Sequence, residues 1–527
     1  MHLTPYNIRK GIRYLKHYGL HEFLIRFKEK NEPENLTYEE FRKIHRLQGR
    51  ELRQQEREYK LWMKKPLSIC YFANEMNLSD ITIESKAAWI LCVKEGIRLD
   101  KYAQAEFMKA AYQPGKVMQS GVHWDMVDNP DFIYADADEY SESEHGETQY
   151  INPKFKPDYN MELQKSTAYI GAAFLISREI YDKVRNSMQA WQGWLNFQSR
   201  CIEEAKGILH IPKVLYHEKH QDNIEKDVYK ATAVEMQQAS GYAGQPLISI
   251  IIPNKDEVET LKTCLHSILQ STYTNYEIII VENNSTNPDT FSYYRKLQEE
   301  NEQIQVVTFQ TEQGFNYSAI NNYGVSFAQG EYLVLLNNDI ELITTDWLER
   351  MLVHCQQPKN AIVGARLYYP DDTIQHAGIM VGIGGHARGV AINMYTGLPR
   401  EEAGYMKRAS AQQNLSAVTA ACMMIKKCVF EEVGGFHEYL TVAFNDVDLC
   451  LKARKAGYLV VYDPSIEAYH YESKSRGQED TEEKVRRFQT EIEYMRTQWN
   501  DILRYGDPYY NPNLTRNRCD YSLRGDN

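Results

Sequence analysis

The chain has 527 residues, of which 43% are hydrophobic and 25% are charged, so its length favours two or three domains over a single core. The net charge of −12 argues against a general nucleic-acid-binding protein. Nine cysteines without a CxxC pair indicate neither a disulfide framework nor a zinc site. No apolar run is long enough for a membrane span or a signal peptide, and we expect a cytoplasmic protein.

The N-terminal region is basic. Residues 1–30 carry seven Lys or Arg against two Glu, whereas the rest of the chain has a net charge of −17. Residues 7–30 predict two short amphipathic helices. These helices either contact the inner face of the cytoplasmic membrane or pack against their own protein. Residues 36–63 then predict one exposed, charged helix with a capping signal at Thr37 and Glu40.

A weak α/β pattern follows from residue 64 to residue 225. Asp136 and Asp138 come after one of its apolar runs, and we interpret them as a strand-end pair and not as a second metal site. Residues 226–245 are polar and predict a linker. The predicted strands of this region are 67–72, 88–93, 131–135 and 211–216.

From Pro246 the alternation of strands and helices is clear. It predicts a doubly wound, mostly parallel α/β sheet, in which ligands bind beyond the carboxyl ends of the strands. Glu282 and Asp339 follow two of these strands and should therefore lie at a binding site. The predicted strands are 247–253, 276–281, 304–309 and 331–336, and the predicted helices are 257–271, 288–300 and 316–329.

Asp339 and His470 are candidate metal ligands. An isolated carboxylate at the end of an apolar strand is costly to desolvate, and a divalent cation bridging to a diphosphate removes that cost. A helix cap or a surface acid is the alternative for Asp339. The neutral imidazole of His470 suits manganese, although most single histidines are ordinary surface or core residues. Lys474 and Arg476 follow in a loop that either binds phosphate or forms an exposed basic turn.

Asp446 is the candidate general base. Phe444 and Val447 flank it with apolar surface, and partial desolvation raises the pKa of a carboxyl group as a general base requires. Acids in a first helical turn are also ordinary partners of the helix dipole, so Asp446 and Asp448 have a purely structural explanation as well. Residues 282–285 offer acceptors for a base imide or a ribose hydroxyl, or else form a plain polar turn.

Together these segments resemble the family 2 glycosyltransferases, which are inverting enzymes with the GT-A fold. The resemblance covers roughly 246–480. The loop from His470 to Gly477 looks like the histidine loop of the branch that makes bacterial surface polysaccharides, including rhamnosyl- and galactofuranosyltransferases. The matching segments are 246–256, 281–286, 330–339, 433–436, 445–450 with 456–458, and 470–477.

The resemblance implies that Asp339 and His470 bind a divalent metal, Mn2+ or Mg2+, and that Asp446 is the catalytic base. It implies a single displacement from a nucleotide-sugar donor to a hydroxyl of a growing glycan, expected to be lipid-linked, with no nucleic-acid partner. The first expected donor is dTDP-rhamnose and the second is a UDP-sugar such as UDP-galactofuranose. A non-catalytic carbohydrate-binding or assembly scaffold is the alternative. The implied donor-binding residues are Pro253, Asn254, Asp256, Glu282, Asn284, Asn321, Asn338, Lys474 and Arg476.

The first half resembles a truncated copy of the same GT-A module. It reads Val93-Lys-Glu-Gly96 where the metal-binding acid should follow the strand and has no acid near 191–200 where the base is expected, so we expect it to be inactive and to serve acceptor binding, homodimer formation or support. The predicted order is N-terminal helices (1–63), the degenerate module (64–225), the linker (226–245), the catalytic domain (246–480), and a C-terminal helix and tail (481–527).

Overall fold

The computed structural model describes two compact units. The first comprises Met1–Tyr159, Ala168–Ile224 and Tyr510–Asn527, and the second comprises Asn160–Thr167 and Glu225–Tyr509. Most of residues 7–30, with the predicted membrane-facing helices, lie outside the described residues. Among the helices that are described, none is both long and apolar enough to cross a membrane. The described residues are 12, 15, 20, 36–46, 48–73, 81–116, 127–188, 192–221, 241–312, 314–384, 389–471 and 481–525.

The first unit is a mixed sheet with helices. Its helices are α1 (Tyr38–Ile44), α2 (Gly49–Trp62), α3 (Ala103–Tyr112), α5 (Arg178–Ser187) and α6 (Trp194–Glu204), whereas α4 (Met161–Thr167) belongs to the second unit. Its strands are β1 (Leu67–Phe72), β2 (Trp89–Lys94), β3 (Arg98–Leu99), β4 (Phe132–Glu142), β5 (Thr148–Lys154), β6 (Ala173–Ser177) and β7 (Ile208–Lys219).

The predicted single helix over 36–63 is wrong, because the structure has two helices there. The predicted cap at its start is confirmed, since the Thr37 hydroxyl accepts the Glu40 N–H and the Glu40 carboxylate accepts the Thr37 N–H. Gly49 then adopts a φ of +57°, a left-handed conformation that glycine reaches without steric penalty. This conformation separates α1 from α2.

Asp136 and Asp138 do not follow a strand end, as predicted, but lie inside the long strand β4. Both carboxylates are buried and paired. Asp136 lies 2.9 Å from His210 Nε2, and Asp138 accepts from Tyr38 Oη at 2.7 Å and pairs with His217 Nδ1. Burial acts to lower the pKa of His210, but Asp136 and Asp158 raise it to about 9, so a charged imidazolium compensates the buried acid.

The second unit contains a larger sheet. The strands of the second unit are β8 (Ile248–Asn254), β9 (Tyr276–Glu282), β10 (Ile304–Thr308), β11 (Tyr332–Leu336), β12 (Ile340–Leu342), β13 (Asn360–Tyr368), β14 (Ile374–His376), β15 (Ile379–Val381), β16 (Ala391–Asn393), β17 (Gln413–Leu415), β18 (Cys422–Lys426) and β19 (Leu459–His470). Its other helices are α7 (Val258–Leu269), α8 (Pro288–Glu300), α9 (Tyr317–Val325), α10 (Trp347–Cys355), α11 (Lys427–Glu432), α12 (Asn445–Lys455), α13 (Glu482–Gln498) and α14 (Asn500–Tyr505).

The predicted α/β class is confirmed. The large sheet has the strand order β10-β9-β8-β11-β18-β13-β19-β12, and its first four strands run parallel to one another. The isoleucine-rich strands β8 and β9 are buried almost throughout, as expected of parallel strands that are covered on both faces. Because β8, β9 and β11 are parallel, their carboxyl ends lie at one edge of the sheet.

The two units share one sheet topology. The first sheet has the order β1-β2-β6-β4-β7-β3, which corresponds strand by strand to β8-β11-β18-β13-β19-β12 of the second. Each neighbouring pair also has the same relative direction in both sheets. The described part of the first unit has no counterparts of β9 and β10. The first unit is therefore a shortened version of the fold of the second.

Candidate active site

The structure brings Asp339 and His470 together. Strand β12 pairs antiparallel with the end of β19, with Ile340 opposite His470, and the Tyr471 N–H donates to the Asp339 carbonyl oxygen at 3.0 Å. This register places Asp339 Oδ1 at 3.2 Å from His470 Nε2. The Asn337 side-chain nitrogen lies 3.3 Å from the same ring nitrogen. The pair is mostly buried, with side-chain exposures of 14% and 10%.

The other ring nitrogen of His470 contacts Gln375, which sequence reasoning missed. Gln375 lies in the short strand β14 and is buried. Its Oε1 is 2.6 Å from His470 Nδ1 and its Nε2 donates to the His470 carbonyl oxygen at 3.3 Å. The available signal was a polar Gln-His pair between apolar residues, at 375 and 376.

Asp446 is the second residue of the helix α12 and is half-buried. The residue before the helix, Phe444, is held in the left-handed region at φ +62°. One carboxylate oxygen of Asp446 accepts the Val447 N–H at 2.8 Å, and the other accepts the Ala420 N–H at 3.3 Å. Burial raises the pKa of Asp446, although hydrogen bonds from Val447, Ala420 and Thr419 act against this rise. A raised pKa suits a group that must take up a proton.

Asp448 has a different environment. Its carboxylate accepts the indole N–H of Trp499 at 2.9 Å and lies 3.3 Å from the Lys452 ammonium. The two acids of the motif are therefore distinct, since Asp446 contacts the segment before β18, whereas Asp448 contacts Trp499 and Lys452.

His376 connects the two parts of the site. Its Nε2 accepts the Thr419 N–H at 3.4 Å, and its Nδ1 lies 2.6 Å from Asn393 Oδ1. Burial lowers the pKa of His376 to about 4, so the ring is neutral at physiological pH. Contacts thus run from His470 to Gln375, along the backbone to His376, and through Thr419 to Asp446.

Three predicted donor-binding residues form one buried hydrogen-bond network. The Asn338 amide donates to Asn254 Oδ1 at 2.7 Å, and the Asn254 amide donates to Tyr294 Oη at 2.7 Å. Tyr294 Oη in turn donates to Glu282 at 2.9 Å. Glu282 also accepts from the backbone and hydroxyl of Ser285, at 2.5 and 2.6 Å. The network therefore joins the carboxyl ends of β8 and β9 to the turn after β11.

We expect Tyr294→Phe to weaken donor binding more than turnover. The change leaves the Asn254 amide and a Glu282 oxygen with one hydrogen bond fewer, which costs about 1–3 kcal/mol of stability. Steady-state kinetics should show a higher KM for the nucleotide sugar with a nearly unchanged kcat. Tyr293→Phe, in the adjacent position of α8, is the control and should leave both constants unchanged. A lowered kcat with normal KM would contradict this role.

Other predicted donor-binding residues bond to nearby backbone. Asp256 accepts the N–H groups of Thr286 and Asn287, both at 2.8 Å. Burial acts to raise the pKa of Asp256, but these hydrogen bonds lower it. The remaining positions are as follows: Asn284 donates to the Thr311 carbonyl at 2.9 Å, Asn321 is buried in α9 and donates to the Tyr317 carbonyl at 2.8 Å, Pro253 is half-buried in β8, and Lys474 and Arg476 lie outside the described residues.

The domain that carries β8 to β18 matches a known family model. Residues 249–434 match the model described as glycosyl transferase family 2. Residues 249–434 are a family 2 glycosyltransferase domain. The resemblance seen in the sequence is thereby confirmed. The family 2 domain contains Asp339 and Gln375, whereas Asp446 and His470 follow the matched region.

Relatives extend the similarity beyond the family 2 domain. An uncharacterized protein, y4gI, of Sinorhizobium fredii is 38% identical over 74% of this chain, and the O-antigen biosynthesis protein RfbC of Myxococcus xanthus is 31% identical over 71% of it. The matches span 46% and 31% of those two proteins, so the chain matches less than half the length of each. An N-acetylglucosaminyl-diphospho-decaprenol L-rhamnosyltransferase of Mycobacterium tuberculosis is 37% identical over 12% of this chain and 20% of its own length.

Proposed function

We propose that the second unit catalyses the inverting transfer of a sugar from a nucleotide-sugar donor to a hydroxyl group of a cell-surface glycan. The observation that carries the proposal is the pairing of Asp339 with His470 at 3.2 Å, connected through β14 and Thr419 to Asp446. A site of this kind provides one place for a diphosphate-bound cation and another for proton removal from the acceptor.

The Asp339–His470 pair fits a divalent cation as two neighbouring ligands. Two ligand atoms at about 2.1 Å from one ion and at right angles to each other are about 3.0 Å apart, close to the observed separation. The described residues contain no group of three or more His, Cys, Asp or Glu side chains that could hold a metal. This agrees with a site completed by substrate phosphate and water, as magnesium sites often are. When bound, Mn2+ or Mg2+ neutralises charge on the diphosphate leaving group.

Asp446 is the proposed general base. Its carboxylate takes the proton of the acceptor hydroxyl while that oxygen attacks the anomeric carbon from the face opposite the leaving diphosphate. The bond between the anomeric carbon and the diphosphate oxygen breaks with its electron pair on that oxygen, so the anomeric configuration inverts. The N–H groups of Val447 and Ala420 hold the carboxylate in place. Lys474 and Arg476 are proposed to face the diphosphate.

The donor we propose first is dTDP-rhamnose, and UDP-galactofuranose is second. The sequence resemblance to the polysaccharide branch supports this order, as do the names of the O-antigen biosynthesis and rhamnosyltransferase relatives. We propose a lipid-linked glycan as the acceptor. We also propose that residues 7–30 contact the inner face of the cytoplasmic membrane, to which their basic charge is suited.

The first unit is proposed to be non-catalytic. His217 of β7 pairs with Arg98 of β3, as His470 pairs with Ile340, so Ile97 occupies the position of Asp339. Helices α6 and α12 both have 11 residues, and Leu195 is second in α6 as Asp446 is second in α12. Two apolar side chains thus stand where the second unit has its cation ligand and its base. Acceptor binding, dimer formation or support are the remaining roles.

A donor panel tests the proposal. The purified full chain is incubated with Mn2+ and with dTDP-rhamnose, UDP-galactofuranose and other nucleotide sugars, and release of the nucleoside diphosphate is measured with and without a lipid-linked acceptor. Manganese-dependent release from one donor is the expected result. Folded protein that neither binds nor hydrolyses any donor would overturn the proposal and favour a carbohydrate-binding scaffold.

A further inference from the structure

Gln375 holds His470 at two points. Its side chain contacts the ring through Nδ1 at 2.6 Å and the backbone carbonyl of the same residue at 3.3 Å. Gln375 is 5% exposed and His470 is 8% exposed, so water does not readily replace these bonds. Because the buried Gln375 side chain makes two hydrogen bonds to His470, it restricts both the rotation and the position of the His470 ring.

These two contacts determine which ring nitrogen carries the proton. The His470 carbonyl oxygen can only accept, so the Gln375 amide nitrogen must face it. The Gln375 amide oxygen then faces Nδ1, and since this oxygen can only accept, Nδ1 must be the donor. With the proton on Nδ1, Nε2 is the acceptor nitrogen of the ring, and it lies 3.3 Å from the Asn337 side-chain nitrogen and 3.2 Å from Asp339 Oδ1.

The first unit shows the contrasting arrangement. Its counterpart of His470 is His217, whose Nδ1 pairs with Asp138 and whose Nε2 lies 3.9 Å from Asp100. Burial acts to lower the pKa of His217, but Asp100 and Asp138 raise it and favour the imidazolium form. An imidazolium has no electron pair for a cation. In His470 the partner of Nδ1 is instead a neutral amide, which orients the ring without placing a negative charge beside that nitrogen.

We propose that Gln375 is a positioning residue, which fixes His470 as the Nδ1–H tautomer and directs Nε2 to the cation shared with Asp339. This inference rests on the proposed function for the cation, but its tautomer component does not. Outer partners of metal-ligating histidines commonly change metal affinity about 10- to 100-fold when they are removed.

The test compares Gln375→Met, Gln375→Glu and the control Gln413→Met in the full chain. Methionine has a similar volume but makes neither bond, whereas glutamate keeps the acceptor for Nδ1. Gln413 is a buried glutamine of the same unit that bonds Arg408 through both ends of its amide. Two quantities are measured: the His470 tautomer by ¹⁵N NMR without metal, assigned by difference with His470→Asn, and Mn2+ affinity by electron paramagnetic resonance.

We expect the Nδ1–H tautomer in the wild type and in Gln413→Met, a protonated Nδ1 in Gln375→Glu, and loss of the preference for a protonated Nδ1 in Gln375→Met. Mn2+ affinity should fall about 10- to 100-fold in Gln375→Met and remain unchanged in Gln413→Met. An Nε2–H tautomer in the wild type, or an unchanged tautomer and affinity in Gln375→Met, would overturn the inference. A wild type that has the Nδ1–H tautomer but binds no Mn2+ would instead contradict the proposed cation site and the cation-directing part of the inference.

Discussion

Asp446→Asn is expected to lower kcat by about 10²- to 10⁴-fold, which is the usual contribution of a positioned general base. The amide keeps the size of the side chain and can still accept the Val447 N–H, but it cannot take a proton from the acceptor hydroxyl. Donor and Mn2+ affinities should stay close to those of the wild type, because Asp446 is not among the proposed ligands of either. Single-turnover transfer assays and equilibrium binding of the nucleotide sugar measure these two quantities separately.

The same substitution should make the Tm of the protein less dependent on pH. Burial raises the pKa of Asp446 in the folded state above its value in the unfolded chain, so the folded protein binds the proton more tightly. The Asp446 carboxyl group therefore contributes to the stability of the fold at low pH, and this contribution is lost as the pH rises through the folded-state pKa of Asp446. The neutral amide of the Asp446→Asn variant removes this loss, but its nitrogen cannot accept the Ala420 N–H, so the Tm of the variant relative to the wild type should be higher at pH 7 than below about pH 4.

Asp448→Asn is the matched control for both measurements. It lies two residues further along the same helix and is buried, but it bonds Trp499 and pairs with Lys452. We expect it to reduce Tm and to leave kcat nearly unchanged. Equal losses of kcat in the two variants, or a Tm difference between Asp446→Asn and the wild type that does not change between about pH 4 and pH 7, would contradict the assignment of Asp446 as the base.

Asp339→Asn and His470→Ala should each weaken Mn2+ binding and reduce transfer by about 10²- to 10³-fold. This range corresponds to the several kcal/mol of charge stabilisation that a bound metal supplies. Because both side chains are proposed to bind one ion, the double variant should be little worse than either single variant. Isothermal titration with Mn2+ and transfer rates over a range of Mn2+ concentrations check the two effects.

Asp346→Asn is the control for the metal pair. Asp346 lies at the start of α10 and forms an ion pair with Arg350 at 2.9 Å. This ion pair does not involve His470. Mn2+ affinity should be unchanged in this variant. If Asp339→Asn and His470→Ala bind Mn2+ as tightly as the wild type, the cation is held elsewhere and the proposed site is wrong.

The polar residues at strand ends were predictable from the sequence. Asp339 follows an apolar run that is too hydrophobic for a surface strand, and parallel strands bring their carboxyl ends to one edge. The pairing of Asp339 with His470 was implied by the family resemblance, since local pattern contains no information on the register between β12 and β19. The structure supplies this register through Ile340 opposite His470.

Other features were beyond local pattern. Gln375 lies in a strand of three residues that pairs with the preceding strand β13, and its place beside His470 depends on the pairing of β13 with the distant strand β19. Asp256 and Asn321 were predicted to bind the donor, and this stays a prediction, but both bond to backbone groups in the structure. Side chains of Asp and Asn often satisfy nearby backbone groups in this way, and residue type alone does not reveal it.

The shared topology of the two sheets has a consequence for how such chains are classified. In the first unit the strand order and the histidine are retained, while Ile97 and Leu195 stand at the positions of Asp339 and Asp446, the proposed cation ligand and base of the second unit. Architecture and chemistry have therefore diverged within one polypeptide. A genome survey that counts enzymes from backbone similarity would score this chain twice, whereas a count based on the proposed cation ligand and base would score it once.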